Sequence, residues 1–513
     1  MKRLGGLSRG ELVVLALVVA YSLLPLAMFA RHVLVTDELF TGAEGPFPAD
    51  QFQYMAWIRD APLARNLLDV VPSERVFLHP MFMVSGLALK VGAGIQAALL
   101  MWKPVVLLAL LAGFTLYVRA RLEAAWARVA ALALALMFAA PAAPLMSWLS
   151  AGSEAAQGDV ANLAGEAFPA GLTWGYFPAA AAVGLMPVFL LAAERIAAAG
   201  GRRRSRDVAL AAVAGALVAW LHPWQGETLL ATVAGALILG FERETVKRLL
   251  IPAVATATPL AYYFILSRAD EAWAHAQTFN TLVGRIPVWA IAAGLMPLAL
   301  PAVAGIRRTP LDFGERLLVA WPPAVLVVYV VTPSFAQHAF EGVALPLAIL
   351  AVRGLERLRR PLVPAAALVA VMTVPGAAFT FDKLRDVVHT GQQAYYLDPG
   401  EKAALDHLAE VGGTDLVLAS PYLTTLVPAF TGHTTWAGHP SWTPDFGNRI
   451  ETLGRLFAGA LDARQAKRVL RTSGARFLIA DCRHEAAALR TLKPLLTARR
   501  QFGCAATYRV KGG

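Results

Sequence analysis

The sequence predicts an α-helical polytopic membrane protein of about eleven spans carrying a C-terminal α/β domain, on three observations. Hydrophobic residues make up 57% of the 513 residues and charged residues only 16%, with a mean hydropathy of +0.54; soluble chains are nearer one quarter charged. Apolar runs of spanning length recur along 1–380, and Lys and Arg concentrate in alternate gaps between them. Beyond 380, short apolar runs alternate with polar helical ones. This composition excludes disorder, a coiled coil and a cytosolic enzyme. The continuity of the apolar runs excludes a β-barrel, whose strands would alternate.

The first element follows Lys2, Arg3 and Arg9. Its apolar run, 11–30, is long enough to span, and no small-x-small cleavage site follows, so it reads as an uncleaved first span with a cytoplasmic N-terminus. Further runs lie at 96–118, 129–148, 177–197, 208–224, 227–241, 249–267, 286–305, 317–332, 343–353 and 362–380. Basic gaps hold Arg119, Arg121 and Arg128; Arg202, Arg203, Arg204 and Arg206; Arg243, Lys247 and Arg248. Two more hold Arg307, Arg308 and Arg316, then Arg353, Arg357, Arg359 and Arg360. The gaps 149–176 and 333–342 contain no Lys or Arg. The positive-inside rule then makes the basic gaps cytoplasmic and the others external. An odd span count places the C-terminus outside, and the large external segments are 31–80, 149–176 and 381–513. The segment 81–95 reads as an interfacial helix, and 343–353 is the shortest run. The net charge of +11 and the pI near 9.8 are thus a topology signal, with no nucleic-acid partner expected.

The chain therefore divides into a transmembrane domain, 1–380, with the first external loop 31–80, and an extracytoplasmic α/β domain, 381–513. In the latter, 399–410 reads as a helix with Asp398 as N-cap. Strands are expected at 415–419, 476–480 and 506–510, and helices at 422–430, 445–460, 463–472 and 485–496, giving a small parallel-type sheet. The unit is large enough to bury its own core. Cys482 and Cys504 flank the last helix; an external compartment permits oxidation, so a disulfide is preferred over two buried thiols. No Walker or HExxH motif is present in the sequence, and nothing in it reads as the strand-to-helix nucleophile elbow of a GxSxG hydrolase. No cofactor and no metal-ligating set are expected.

The polar residues that bear on chemistry cluster in the predicted external gaps. The first loop carries Thr36-Asp37-Glu38-Leu39-Phe40 and Asp50-Gln51-Phe52-Gln53-Tyr54. Asp50 opens a helix, where a carboxylate serves equally as N-cap or as a base that deprotonates a hydroxyl. Asp37, Glu38 and Asp60 compete for the second role. Tyr54 and Trp57 are either interfacial anchors or substrate contacts. His79-Pro80 ends the loop, and His222-Pro223 recurs before Trp224, Gln225 and Glu227; the prolines stop helices, or the histidines share a site. Lys103 lies within an apolar run, where a cation either snorkels or meets a lipid phosphate. Arg268 and Arg285 are alternatives for that contact, and His338 and Glu341 flank the run at 343–353. In the tail, the Gly/Pro-rich stretch from Thr431-Gly432-His433 through Trp436-Ala437-Gly438-His439-Pro440 to Trp442-Thr443-Pro444-Asp445 suits sugar stacking, docking, or simple burial.

In its span count, acidic first loop and external tail, the chain resembles the GT-C superfamily of integral membrane glycosyltransferases. These are the relatives of polyprenyl-phosphate-mannose-dependent mannosyltransferases and bacterial arabinosyltransferases. The local resemblance rests on Asp50-Gln51-Phe52-Gln53-Tyr54, Phe77-Leu78-His79-Pro80, His222-Pro223 and the stretch from Thr431 to Asp445. It implies an inverting transfer from a polyprenyl-phosphate-linked sugar to a hydroxyl of a cell-envelope glycan, lipid or protein, in the plasma (inner) membrane and on its outer face. By that resemblance Asp50 is the general base. Relatives often carry an adjacent acidic pair there, which in this chain is Asp37-Glu38, so both assignments stand. Tyr54, His79, Lys103, His222, Glu227 and Arg285 are the candidate substrate contacts. Two rival readings are a transporter or flippase of lipid-linked glycans and a non-catalytic scaffold of envelope assembly.

Overall fold

The computed structural model describes residues 6–69, 73–198, 204–282, 285–307, 311–391, 394–483 and 491–511. Arg202, Arg203, Arg308 and the first part of the helix expected over 485–496 lie outside the described residues.

Every apolar run read from the sequence is helical. The chain opens with α1 (Arg9–Val35), strand β1 (Leu39–Phe40), α2 (Pro48–Asp60), α3 (Pro80–Lys90), α4 (Ile95–Leu100) and α5 (Trp102–Arg121). Next come α6 (Ala125–Met137) and α7 (Ala142–Trp148), which together form one apolar run bent by 57°. Pro141 stands at the break, where a missing N–H and a ring clash interrupt the helix. Helices α8 (Glu154–Glu166) and α9 (Pro169–Leu172) follow, then α10 (Phe177–Ala198), α11 (Arg204–Leu221), α12 (Pro223–Ile238), α13 (Arg243–Ala269) and α14 (Glu271–Leu282). The series continues with α15 (Val288–Gly305), α16 (Phe313–Val331), a 3-10 turn at Ala336–Phe340, α17 (Ala344–Leu355) and α18 (Leu362–His389). Among the described residues, seven helices are long and apolar enough to cross a membrane, or eight if the bent pair is one span. This is a multi-pass membrane protein. Helices α12 and α17, with 16 and 12 residues, are shorter than a straight span requires.

Two compact units result. The first comprises Met1–Leu24, Lys103–Phe264 and Thr281–Lys383; the second comprises Pro25–Trp102, Ile265–Asn280 and Leu384–Gly513. In the first unit α5 and α10 approach at two glycines: a Cβ on Gly113 would meet the Gly184 carbonyl oxygen at 2.0 Å. Lipid tails offer no hydrophobic gain on helix pairing, so such backbone proximity is what holds spans together. Several basic residues of the predicted cytoplasmic gaps are also buried ion-pair partners. Arg353 grips Glu315 through two bonds, at 2.6 and 2.9 Å, and Arg121 bonds Glu194 at 2.6 Å. A guanidinium's planar fork matches a carboxylate, so each can leave water with its charge met.

The second unit joins the first loop to the tail. β2 (Tyr396–Leu397) pairs antiparallel with β1. α19 (Pro399–Val411) starts at Asp398 with a full capping box, Glu401 reaching back to the Asp398 N–H, which confirms the expected N-cap. β3 (Leu416–Leu418), α20 (Leu426–Thr431), β4 (Thr434–Thr435), α21 (Phe446–Phe457) and α22 (Ala463–Ser473) follow. β5 (Phe477–Ala480), β6 (Leu496–Phe502) and β7 (Ala505–Val510) complete a five-stranded sheet of order β4-β3-β5-β7-β6. It is mixed rather than all parallel: β3 runs parallel to β4 and β5, but β7 is antiparallel to both β5 and β6. The β6–β7 turn at Gly503 (φ +58°) makes the hairpin, and β6 itself, with its five exposed residues Thr497, Ala498, Arg499, Arg500 and Gln501, carried no apolar pattern to betray it. Leu453, Leu456, Phe457, Leu470 and Leu478 form its core. The Cys482–Cys504 disulfide is present, with the Cα atoms 4.7 Å apart.

Candidate functional site

In the second unit, α2 begins with Pro48 at its first turn, where the missing N–H is no loss. Its N-cap is Phe47, not Asp50, and Asp50 makes no capping bond. Instead Asp50 Oδ1 lies 2.8 Å from His439 Nε2, in the loop between β4 and α21. The Ser441 N–H donates to His439 Nδ1 at 3.1 Å, so Nδ1 is the acceptor and the proton of the neutral ring sits on Nε2, aimed at Asp50. The imidazole is buried while the Asp50 side chain is 35% exposed. A held carboxylate with an open side is an arrangement that can accept a proton from a bound hydroxyl.

The His439 loop is built on the first loop by backbone bonds. Thr435 N donates to Leu67 O at 3.2 Å, Gly438 N to Leu68 O at 2.9 Å, and Thr443 Oγ1 to Leu68 O at 3.0 Å. Arg449 forms an ion pair with the buried Asp69 and donates to Trp436 O at 2.8 Å. The same unit holds an aromatic cluster. Trp57 is 4.6 Å from Phe77, 5.5 Å from Trp442 and 6.0 Å from Trp273, centroid to centroid. Tyr54 packs on Phe82 at 5.3 Å, and the buried His79 ring stacks on Phe82 at 4.2 Å. Trp57 is therefore a core residue of this unit rather than an interfacial anchor, and Trp442 is buried rather than presented for stacking.

The competing acids stand elsewhere in the same unit. Glu38 pairs with His32 at 2.6 Å, and the His32 ring stacks on Tyr396. Asp37 precedes it in the exposed link between α1 and β1. Asp60 is held by Arg75 at 2.5 Å and Arg65 at 3.4 Å.

The first unit gathers a second set. His222 is the N-cap of α12, and its Nδ1 contacts Gln225 Oε1 and lies 3.4 Å from Glu341 Oε2. His338 Nδ1 is 2.9 Å from both Glu341 Oε1 and Glu166 Oε2. Burial opposes charge on His338, but Glu166 and Glu341 outweigh it and hold its pKa well above the usual histidine value. Burial also raises the Glu341 carboxyl, against the pull of His222 and His338. Glu227 accepts a bond from Thr332 Oγ1 at 2.5 Å. Arg285 donates to the carbonyls of Tyr329, Val330 and Thr332 at 2.7, 2.7 and 3.2 Å, so it caps the C-terminus of α16. Lys103 is buried and donates to Thr173 O at 3.0 Å.

Thus Asp50, Tyr54 and His79 share one unit, whereas Lys103, His222, Glu227 and Arg285 share the other. Reading the sequence missed two participants. Glu166 ends an amphipathic helix with no local mark, and the pairing of His439 with Asp50 has no signal short of knowing which loops meet.

No family model matches the chain, and neither does any curated protein sequence. Among solved structures, the cryo-EM structure of arabinofuranosyltransferase AftD from Mycobacteria is similar at 15% identity and TM-score 0.58, over 99% of this chain and 40% of that one. A mutant of the same enzyme matches at 14% identity and TM-score 0.54, over 99% and 42%. The archaeal oligosaccharyltransferase AglB from Archaeoglobus fulgidus, in complex with an inhibitory peptide and a dolichol-phosphate, matches at 14% identity and TM-score 0.42, over 94% and 71%. The chain spans 40% of the arabinofuranosyltransferase's length. At these identities the likeness is one of fold: the chain shares, over its whole length, the fold of the arabinofuranosyltransferase, in keeping with the fold expected from its sequence.

Proposed function

We propose that the chain is an inverting membrane glycosyltransferase. It takes a sugar from a polyprenyl-phosphate donor and delivers it to a hydroxyl of an envelope glycan, lipid or protein, on the outer face of the inner membrane. In this reading the helices cross the bilayer about eleven times and the tail lies outside. The observation that carries the proposal is the Asp50–His439 pair on a GT-C-type fold: a partly exposed carboxylate oriented by a buried imidazole.

The acceptor oxygen attacks the anomeric carbon from the face opposite the phosphate. The bond between that carbon and the phosphate oxygen breaks, and its electron pair leaves with polyprenyl phosphate. Asp50 Oδ2 takes the hydroxyl proton, while Nε2–H of His439 keeps Oδ1 in place. Because the leaving group is a phosphate, no nucleotide site is needed. Tyr54 and His79 contact substrate from the same unit. We do not retain Arg285 in that role, since its donors are occupied by backbone carbonyls.

The test is transfer by purified full-length protein from a radiolabelled polyprenyl-phosphate sugar. Asp50→Asn is expected to lower the rate by a factor on the order of 10²–10⁴, while the Asp37→Asn, Glu38→Gln double variant retains it. Equal transfer by D50N and wild type would remove Asp50 as base, and loss only in the double variant would move the role to the Asp37-Glu38 pair. Movement of lipid-linked glycan across vesicles without a new glycosidic bond would replace the enzyme with a transporter.

A further inference from the structure

The polar set of the first unit has a hydrogen-bond inventory that does not close. His338 offers one Nδ1–H, yet that nitrogen faces Glu341 Oε1 and Glu166 Oε2 at 2.9 Å each. Glu341 is 2% exposed, and its Oε2 accepts no hydrogen bond, with His222 Nδ1 at 3.4 Å as its nearest cationic neighbour. A buried carboxylate with an unmet oxygen is costly. Two carboxylates bring two negative charges into a site where only the imidazoles can answer them. Protons on the rings or on the Glu341 carboxyl can meet that charge, or a divalent cation can take their place.

The geometry favours the cation. One ligand atom from each of His222, His338 and Glu341 lies within 4.8 Å of the other two. A tetrahedral ion with bonds of about 2.0–2.1 Å sets its donors about 3.4 Å apart; His338 Nδ1 lies 2.9 Å from Glu341 Oε1 and His222 Nδ1 lies 3.4 Å from Glu341 Oε2, so the two imidazoles flank the one carboxylate. The backbone supports the arrangement. His338 and Glu341 are three residues apart across the 3-10 turn, where such positions eclipse and both side chains face one way. His222 is fixed in extended backbone by the start of α12. Gln225 Nε2 donates to His338 O at 2.8 Å, and Trp224 Nε1 to Ser334 O at 2.9 Å, tying the start of α12 to the loop that carries the other two ligands.

We propose that His222, His338 and Glu341, with Glu166 adjacent to the same His338 nitrogen, bind one divalent first-row transition ion of the zinc type. Two imidazoles and a carboxylate are the donors such borderline ions prefer, whereas magnesium and calcium take oxygen. Binding displaces the Nδ1–H contact of His222 to Gln225. The site lies wholly within the first unit and does not depend on the transferase reading. No such ligand set was expected from the sequence, because its members are spread from 166 to 341.

The test uses full-length, tag-free protein in detergent, stripped with EDTA and titrated with Zn²⁺ and with Co²⁺. Bound metal is counted by mass spectrometry, and Co²⁺ is followed by its d–d absorption and by quenching of Trp224, whose ring is 4.6 Å from that of His338. The expected result is one ion per chain, a tetrahedral-type Co²⁺ spectrum, and affinity at least tenfold lower in His338→Gln and in Glu341→Gln. Glu227→Gln, outside the ligand set, should bind as wild type does. Absence of stoichiometric binding by the wild type overturns the proposal, as does undiminished binding by both ligand variants. If Glu341→Gln does not fold, the wild-type titration and His222→Gln decide it by the same criteria.

Discussion

His439 Nε2 lies 2.8 Å from Asp50 Oδ1, a bond that closes 389 residues of chain. Because Ser441 N–H engages the other ring nitrogen, the imidazole is held in one tautomer and donates a hydrogen bond from Nε2–H to the carboxylate. We expect His439→Gln to lower kcat of transfer about tenfold with little change in KM, and Asp50→Asn to lower it further. The double variant should be no worse than Asp50→Asn alone, since His439 acts through Asp50. Additive losses in that cycle would show that His439 is not a positioning residue for this carboxylate.

Gly438 sits where the two loops touch. A Cβ there would meet Leu68 O at 2.8 Å and Leu68 Cα at 2.9 Å, both backbone atoms that cannot step aside. Gly438→Ala should therefore destabilise the fold by about 1–3 kcal/mol and impair transfer with it. Gly447, in the first turn of α21, has open space around the same position, so Gly447→Ala should instead be neutral or stabilising by up to about 1 kcal/mol. Denaturation of the two variants side by side checks the contrast.

The Cys482–Cys504 bond closes a loop of sequence separation 22. On loop-entropy grounds, Cys482→Ser with Cys504→Ser should cost roughly 3 kcal/mol. Reductant should produce a comparable loss in the wild type and none in the double variant, as read by a shift in the unfolding midpoint.

Glu401 gives a pH signature. Burial pushes its carboxyl above the ordinary range, against the backbone N–H groups of Cys482 and Asp398 that pull it down. A group whose pKa is raised by folding lends its full stability below the unfolded value, about 4.3, and loses it as the pH rises through the folded value. Thermal unfolding followed from pH 4 upward should show this decline in the wild type and a flatter profile in Glu401→Gln. Identical slopes would mean that Glu401 is not the titrating group.

Much of the fold was legible because its signals are local. Each apolar run became a helix, since twenty or so apolar residues in lipid must satisfy their own backbone. Asp398 with Glu401 three residues on announced the start of α19, and the two cysteines announced their bond. What failed was also physical. Strand β6 is exposed along most of its length and so lacks the alternation that marks a half-buried strand. The ion pairs of Arg121 and Arg353 were not legible either, because sequence reports a residue's charge but not the carboxylate it will meet.

The sequence by itself determined that the chain belongs in a bilayer, that its apolar runs are helices, and that an α/β segment with a disulfide follows the last of them. These follow from composition and short-range periodicity. That this segment shares a compact unit with the first loop was left to the tertiary structure. Only the tertiary structure decided that Asp50 faces His439, that Arg285 caps a helix, and that His222, His338, Glu341 and Glu166 meet. Each of those relations depends on which distant loops share a neighbourhood, a matter set by packing across hundreds of residues that no local pattern encodes.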